Sequence, residues 1–267
     1  MICDYAPDGL EFAEIKTRFH DALADPAAVM IHQTSTPPLD TIAVGFATAQ
    51  LALGESPNRT VIFGNAAPRR DKDEVSTENR GRGLQYAKLD NGVEVVSVCS
   101  EFAFSFIKHR IVELRDVASP AAGSQFRSRD YFPTYVSAVV DGDYSVLTDV
   151  LDPADIEDVP SHLVAWTDGF GNIKTTLRKS HLQAAGLEAG DRVLVTLNGV
   201  TLAGVISDGG FTVPRGVLAV NAGSSGYDDP FVELFLRVHH MSEKTAAVRF
   251  DHPEGGTLFE IEPLRTP

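Results

Sequence analysis

The rhythm of apolar residues along this chain changes once, near residue 145, and that change limits the fold more than any other feature. Before it, strand-like and helix-like segments alternate. Phe12, Ile15, Phe19 and Leu23 recur at helical spacing with polar residues between them. AVMIH (28–32) reads as a buried strand. Asp40 reads as the N-cap of a second helix carrying Ile42, Phe46, Ala49 and Leu53 on one face. TVIFG (60–64) is the next strand, followed by a long polar stretch. LQYAKL and VEVVSV then flank Asp90-Asn91-Gly92, a hairpin-turn signal. FAFSFI (102–107) reads as a short helix, RIVELRDV as a strand, and Tyr131–Val140 as a helix. Strands alternating with helices predict an α/β domain with a mostly parallel sheet and flanking helices.

Past the change, VLTDVLDPADIEDVPSH is acidic, carries Pro153 and Pro160, and lacks strong periodicity, so it reads as a linker. Short strands with turn punctuation follow: LVAWTD, NIKTTL, DRVLVTLNG, VTLAGVI, GVLAVN, FVELFLRV, AAVRF and LFEIE. Closely spaced strands without long helices predict a small antiparallel barrel or sandwich. The expected organisation is an α/β domain over residues 1–146, a linker over 147–162 and an all-β, barrel-like domain over 163–267.

Charge narrows the functional classes. With 37 acidic against 23 basic side chains, the chain carries a formal charge of −14. Such a surface repels phosphate backbones and argues against nucleic acid as a partner. Cys3 and Cys99 are too few and too apolar in context for a disulfide framework, and no cysteine–histidine pattern suggests zinc. The opening MICDYAPDGLEF has neither the basic start nor the apolar run of a signal peptide. No run approaches the roughly 18 apolar residues of a membrane span. The expectation is a cytoplasmic chain with no membrane partner.

Four places in the sequence suit chemistry. Asp4 falls where a first strand would end, and ligands of open α/β sheets bind outside the carboxyl ends of strands. A carboxylate there either grips the two hydroxyls of a ribose or caps the helix beginning near Gly9. Asp168-Gly169-Phe170-Gly171-Asn172 brings together a carboxylate, an aromatic ring and an amide. It is either a ligand loop or a hairpin turn with Phe170 plugged into the core. The small residues and hydroxyls of Asn221-Ala222-Gly223-Ser224-Ser225-Gly226-Tyr227 form either a backbone anion nest or a flexible loop. Gln125-Phe126-Arg127-Ser128-Arg129-Asp130 opens a helix, where unpaired N–H groups favour anions, although Asp130 is alternatively a simple cap paired with Arg129. The chain has no dinucleotide fingerprint, P-loop or nucleophile elbow. His239-His240, in a strand-like run, would face opposite ways and is a poor metal site.

Taken in order, these segments resemble the S-adenosylmethionine hydroxide adenosyltransferases and their halogenating relatives, the fluorinases and chlorinases. CDYAPDGLEFAEIK looks like the family's Asp-Phe-Gly strand end and its helix ending in lysine, here Asp4 and Lys16. His32, Pro37-Pro38 and Asp40 resemble Thr-His-x-x-Pro-Pro-x-Asp with a short insertion, and KLDNGVEV resembles the Pro-Asp-Asn-Gly turn. SQFRSRDYFP resembles Thr-Phe-His-Gly-Arg-Asp-x-Phe-Ala-Pro. DGFGNIKTT is close to Asp-x-Phe-Gly-Asn-x-x-Thr-Asn, and NAGSSGY to Asn-Ser-Ser-Gly-Tyr. The resemblance spans nearly the whole chain. It implies an α/β nucleoside-binding domain followed by a β-barrel, assembled as a homotrimer with sites between one subunit's first domain and its neighbour's second.

It also implies roles. Asp4 would grip the ribose, Asp168 the methionine ammonium, Phe170 and Asn172 the adenine, and Ser224 and Ser225 the methionine carboxylate. Phe126 and Ser128 would line the nucleophile pocket, with serine at 128 a halogenase-like feature. Asp8 stands one residue from a family aspartate whose aligned place is Gly9. The implied reaction is displacement at the ribose C5′ of S-adenosylmethionine, with no metal or redox cofactor. Hydrolytic members use an Asp–Arg–His set. Their aspartate loop is replaced here by Ile62-Phe63-Gly64-Asn65-Ala66-Ala67-Pro68, placing Phe63 or Asn65 at the aspartate. Arg69 or Arg70 would supply the arginine, and the histidine position reads Arg127, which cannot act as a base near neutral pH. A fixed cation at Arg127 would instead attract hydroxide, halide or another anion. The catalytic candidates are therefore Arg127, Ser128, Arg69 and Asn65.

Overall fold

The computed structural model describes residues 1–54, 58–66, 82–120, 122–209, 212–237 and 245–264. The chain divides into two compact units, Met1–Asp158 and Val159–Pro267. The division falls within the expected linker over 147–162, but the first part of that stretch is regular structure. Leu147–Val150 is a strand paired with Arg115 and Val117, and Pro153–Asp155 forms a 3-10 turn capped by Asp152. The acidic, proline-bearing composition hides a strand at the sheet edge, where one side of the backbone stays solvated.

The first unit runs β1 (Ile2–Cys3), α1 (Leu10–Ala22), β2 (Thr34–Ser35), α2 (Thr41–Ala52), β3 (Val61–Asn65), β4 (Leu84–Leu89), β5 (Glu94–Val98), β6 (Ile111–Val117), α3 (Arg127–Asp130), α4 (Phe132–Asp141) and β7 (Leu147–Val150). Among the described residues its sheet has the order β2-β1-β3-β5-β4-β6-β7. The first four strands run parallel, whereas the pairings β5–β4, β4–β6 and β6–β7 are antiparallel. The sheet is thus mixed rather than mostly parallel. The cause is local: the tight turn at Asp90-Asn91-Gly92, with Gly92 at φ +85°, can join only antiparallel neighbours.

Local chemistry accounts for the helices. Asp40 caps α2 by accepting the Ala43 N–H at 2.8 Å. Phe12, Ile15 and Phe19 of α1 are buried against Phe63, Tyr86 and Phe132. Two expected elements are absent. AVMIH is not a strand: Met30 is 80% exposed, and two-residue β1 offers β2 partners only at Thr34 and Ser35. FAFSFI is a series of turns ending in the 3-10 segment Lys108–Arg110.

The antiparallel half is tied to α4 through Glu94, which is buried. It accepts from Arg59 Nε (3.0 Å) and Nη2 (2.7 Å), and from the Tyr86 and Tyr144 hydroxyls (2.8 Å each). Arg59 also donates to the Val139 carbonyl at 2.6 Å and to that of Val140. Four donors on one carboxylate offset its desolvation.

The second unit runs β8 (Val164–Thr167), β9 (Ile173–Arg178), α5 (Lys179–Ala184), β10 (Arg192–Leu197), β11 (Val200–Ser207), β12 (Leu218–Ala222), β13 (Phe231–Leu236), α6 (Ala246–Arg249) and β14 (Phe259–Pro263). Its described strands form one sheet ordered β14-β10-β11-β12-β13-β9-β8, antiparallel except for β11–β12. The sheet curls until its edges meet. Leu163 bridges Leu258, and the N–H groups of Val164, Gly256 and Phe259 donate to the carbonyls of Thr257, Val164 and His162. Inward residues such as Val193, Val195, Val232 and Leu234 fill the interior with Phe250 and Phe259. AAVRF is a helix, not a strand. Thr245 caps it by accepting the Val248 N–H at 3.3 Å, and two alanines favour the helical turn.

Candidate functional site

In the first unit, β1 continues to β2 on one side of the sheet, while β3 leads towards β5 on the other. This reversal makes the β1/β3 crevice the topological switch point, the place where doubly wound sheets bind ligands. Asp4 follows β1 and Asn65 ends β3; the Asp4 N–H donates to the Asn65 carbonyl at 3.1 Å. Asp4 does not cap α1, whose N-cap is Gly9. Its Oδ2 accepts the Leu39 N–H at 3.1 Å, holding the segment after β2 against the strand end.

Ser128, in the short α3, reaches this same edge. Its hydroxyl donates to Asn65 Oδ1 at 3.3 Å and accepts from the Tyr5 hydroxyl at 2.9 Å. Asn65 Nδ2 donates back to the Tyr5 oxygen at 2.8 Å, closing a three-membered ring of hydrogen bonds. Asn65 and Ser128 are buried and Tyr5 half-buried. Burial pushes the Tyr5 phenol well above its ordinary pKa despite its hydrogen bonds, so it stays neutral. The Tyr5 ring meets Phe12 and Phe126 edge-on, with centroids 5.7 and 6.0 Å apart. The Ser35 hydroxyl donates to the Tyr5 carbonyl.

The structure therefore brings together Asp4, Asn65, Phe126 and Ser128. It adds two residues that the sequence reading missed. Tyr5 was legible in principle, since a phenol next to Asp4 in apolar surroundings needs a partner. Thr36, just beyond β2, is 4% exposed, and its Oγ1 has no hydrogen-bond partner among the described residues. No sequence pattern marks it.

The arginines have definite positions. Arg127 donates to the Arg82 carbonyl at 2.8 Å and lies 5.3 Å from the Phe132 ring centroid; burial lowers its pKa. Arg129 pairs with Asp130 at 2.7 Å and Glu14 at 3.1 Å, and stacks over Phe126. Asp130 is thus paired locally but lies within α3, while Tyr131 stands at the N-cap position of α4 without a side-chain capping bond. Asp8 is exposed in the turn before α1. Arg69 and His239-His240 lie outside the described residues.

In the second unit, Asp168–Asn172 is the turn of the β8–β9 hairpin, and Asp168 organises it. Oδ1 accepts the N–H groups of Phe170 (2.8 Å) and Asn172 (3.0 Å), while Oδ2 accepts Asn172 Nδ2 at 3.0 Å. Gly171, at φ +74°, packs on Thr245 so closely that a Cβ would overlap its side chain. Phe170 is not plugged into the core; it is 67% exposed on this pinned turn. Lys174 lies 3.8 Å from Asp168 and 3.1 Å from Glu233. Ser225 is buried and its carbonyl accepts the Phe231 N–H at 2.8 Å, whereas Ser224 is exposed.

Among the described residues no cluster of three or more His, Cys, Asp or Glu suits a metal ion. No helix among them is long and apolar enough to cross a membrane. No family model and no curated protein matches this sequence. Among solved structures, the chain is similar in fold to an uncharacterized conserved protein from Thermotoga maritima, with a TM-score of 0.70 and 16% identity over 97% of this chain and 98% of that one. It is also similar to a conserved hypothetical protein from Thermus thermophilus, with a TM-score of 0.62 and 16% identity over 98% of this chain and 97% of that one. At that identity the likeness defines the architecture: an α/β unit followed by a β-rich unit across the whole chain.

Proposed function

We propose that this chain transfers the 5′-deoxyadenosyl group of S-adenosylmethionine to water, giving adenosine and L-methionine, and that it works as a homotrimer. The observation that carries the reading is the meeting of Asp4, Asn65 and Ser128 at the β1/β3 switch point, from three well-separated segments of the sequence. These are positions where the resemblance puts ribose and nucleophile.

In the reaction a water oxygen forms the bond to C5′ as the C5′–sulfur bond breaks. Sulfur keeps the bonding pair, so methionine leaves as a neutral thioether without an acid. The new oxonium is strongly acidic and gives its proton to solvent. The site must hold water in line behind C5′ at about 3 to 3.5 Å and exclude competing water. Asp4 grips the ribose hydroxyls, Phe126 and Ser128 line the nucleophile side, and the exposed Phe170 offers a face for adenine beside Asn172. Asp168 holds that turn in shape and, with Ser224 and Ser225, faces the amino-acid end. Arg127 fixes the entry to α3 through the Arg82 carbonyl. The resemblance assigns Arg69 the part of a second cation and sets Asp8 one residue from a family aspartate. The second domain of a neighbouring subunit completes the site. No cofactor takes part.

A second reading, a binder of adenosine or S-adenosylmethionine without turnover, is favoured by one observation. Tyr5, Asn65 and Ser128 include no group that ionises near neutral pH. Incubation with S-adenosylmethionine, with chromatographic assay of adenosine, separates the two. The expected result is adenosine from the wild type and none from Asp4→Ala. Calorimetric binding without product supports the binder; neither binding nor product overturns both. Chloride in a parallel incubation tests for 5′-chloro-5′-deoxyadenosine, the product of a chlorinase-like relative.

A further inference from the structure

Tyr5, Asn65 and Ser128 each donate one hydrogen bond and accept one within their ring. The direction is forced by the amide. Asn65 Nδ2 must donate to Tyr5 and Oδ1 must accept from Ser128, so the Tyr5 proton goes to Ser128. Reversing the amide reverses the ring without opening it. Either way both hydroxyl protons are spent inside the ring. What remains for a ligand is mainly lone pairs, on two hydroxyl oxygens and the amide oxygen, with one spare N–H.

We propose that Tyr5 is a positioning residue that sets the class of nucleophile: the closed ring accepts hydrogen bonds from a neutral protic molecule, water above all, and turns away halide. Water brings two O–H donors to a surface rich in acceptors. A halide brings none and needs donors. Beyond the one spare Asn65 N–H, a second donor would require Ser128 to leave Asn65 Oδ1 unpaired on a residue only 3% exposed. Tyr5 cannot easily swing aside, because its ring is wedged between Phe12 and Phe126 and its carbonyl holds Ser35. The identity of the reaction rests on the adenosyl-transfer reading; the exclusion of halide does not.

Two measurements on the intact protein test this. Chloride and bromide are titrated calorimetrically without nucleoside, and product is partitioned between adenosine and 5′-chloro-5′-deoxyadenosine as chloride rises. Wild type is expected to show no saturable halide binding and only adenosine, at a rate flat in chloride. Tyr5→Phe frees the Asn65 N–H, and Ser128→Ala frees the Tyr5 O–H. Each variant is expected to gain saturable halide binding and to lose about tenfold in kcat for adenosine with little change in KM, the loss of one oriented hydrogen bond. A purely structural clasp would lower stability in both variants without changing their response to chloride. Saturable halide binding by wild type overturns the proposal, as do variants that match wild type in both titration and product. Should wild type form no adenosine, the transfer reading fails while the halide titrations still decide the role of the ring. Ser128→Ala serves alone if Tyr5→Phe does not fold.

Discussion

Tyr5 and Ser128 are separated by 123 residues in the chain and by 2.9 Å between their hydroxyl oxygens. That bond, closed into a ring through Asn65, joins the first strand of the sheet to a short helix more than a hundred residues later. It makes the β1/β3 edge a defined polar surface rather than a loose meeting of loops.

Phe170 separates folding from binding. Its side chain is 67% exposed while the turn beneath it is held by Asp168 and Gly171. Phe170→Ala should leave the thermal midpoint of the protein nearly unchanged, within about 0.5 kcal/mol. If the ring stacks on adenine, adenosine affinity should fall by about 1–3 kcal/mol. Equal affinities by calorimetry would remove Phe170 from the site.

Glu94 is the reverse case, all stability and no binding. Glu94→Ala strands the buried Tyr86 hydroxyl and the Arg59 donors and opens a cavity. A loss of about 3 kcal/mol is expected in urea unfolding. Ligand affinity measured well below the transition should be unchanged. A loss under about 0.5 kcal/mol would show that solvent satisfies these donors equally well.

Alkaline pH should weaken the fold through Cys3. Burial pushes its thiol up to about 12, against about 8.5 in an unfolded chain. Between those values the unfolded chain loses a proton that the folded chain keeps. Stability is therefore whole below about pH 8.5 and declines above it, by about 1.4 kcal/mol per pH unit for this group. Cys3→Ala should flatten that slope between about pH 8.5 and 10. Equal slopes for the two proteins would refute the assignment.

Much of the architecture was legible because periodicity reports burial directly. Phe12, Ile15 and Phe19 marked α1, and alternation of the kind seen in Val193, Val195 and Leu197 marked the strands of the second unit. Readings failed where burial and backbone geometry part company. In the apolar AVMIH run Met30 is exposed and Val29 and Ile31 are only half-buried, and β7 lies in an acidic, proline-bearing stretch. In the first unit strand direction was legible only at the Asp90-Asn91-Gly92 turn, which contradicted the parallel expectation, whereas the antiparallel expectation for the second unit held except at β11–β12. In the site, Asp4 and Ser128 were found through strand ends and motif order. The phenol beside Asp4 signalled that Tyr5 needs a partner, but its partners lie 60 and 123 residues away, and no local pattern identifies them.

The meeting of β8 and β14 has a consequence for how the second unit comes apart. These are its first and last strands, and they are bonded to each other at Leu163–Leu258 and the neighbouring N–H groups. Neither end can peel away without breaking the seam that holds the other, so this unit has no terminal strand from which fraying can start cheaply. Its amides should exchange with solvent in one cooperative opening rather than in a gradient from the edges.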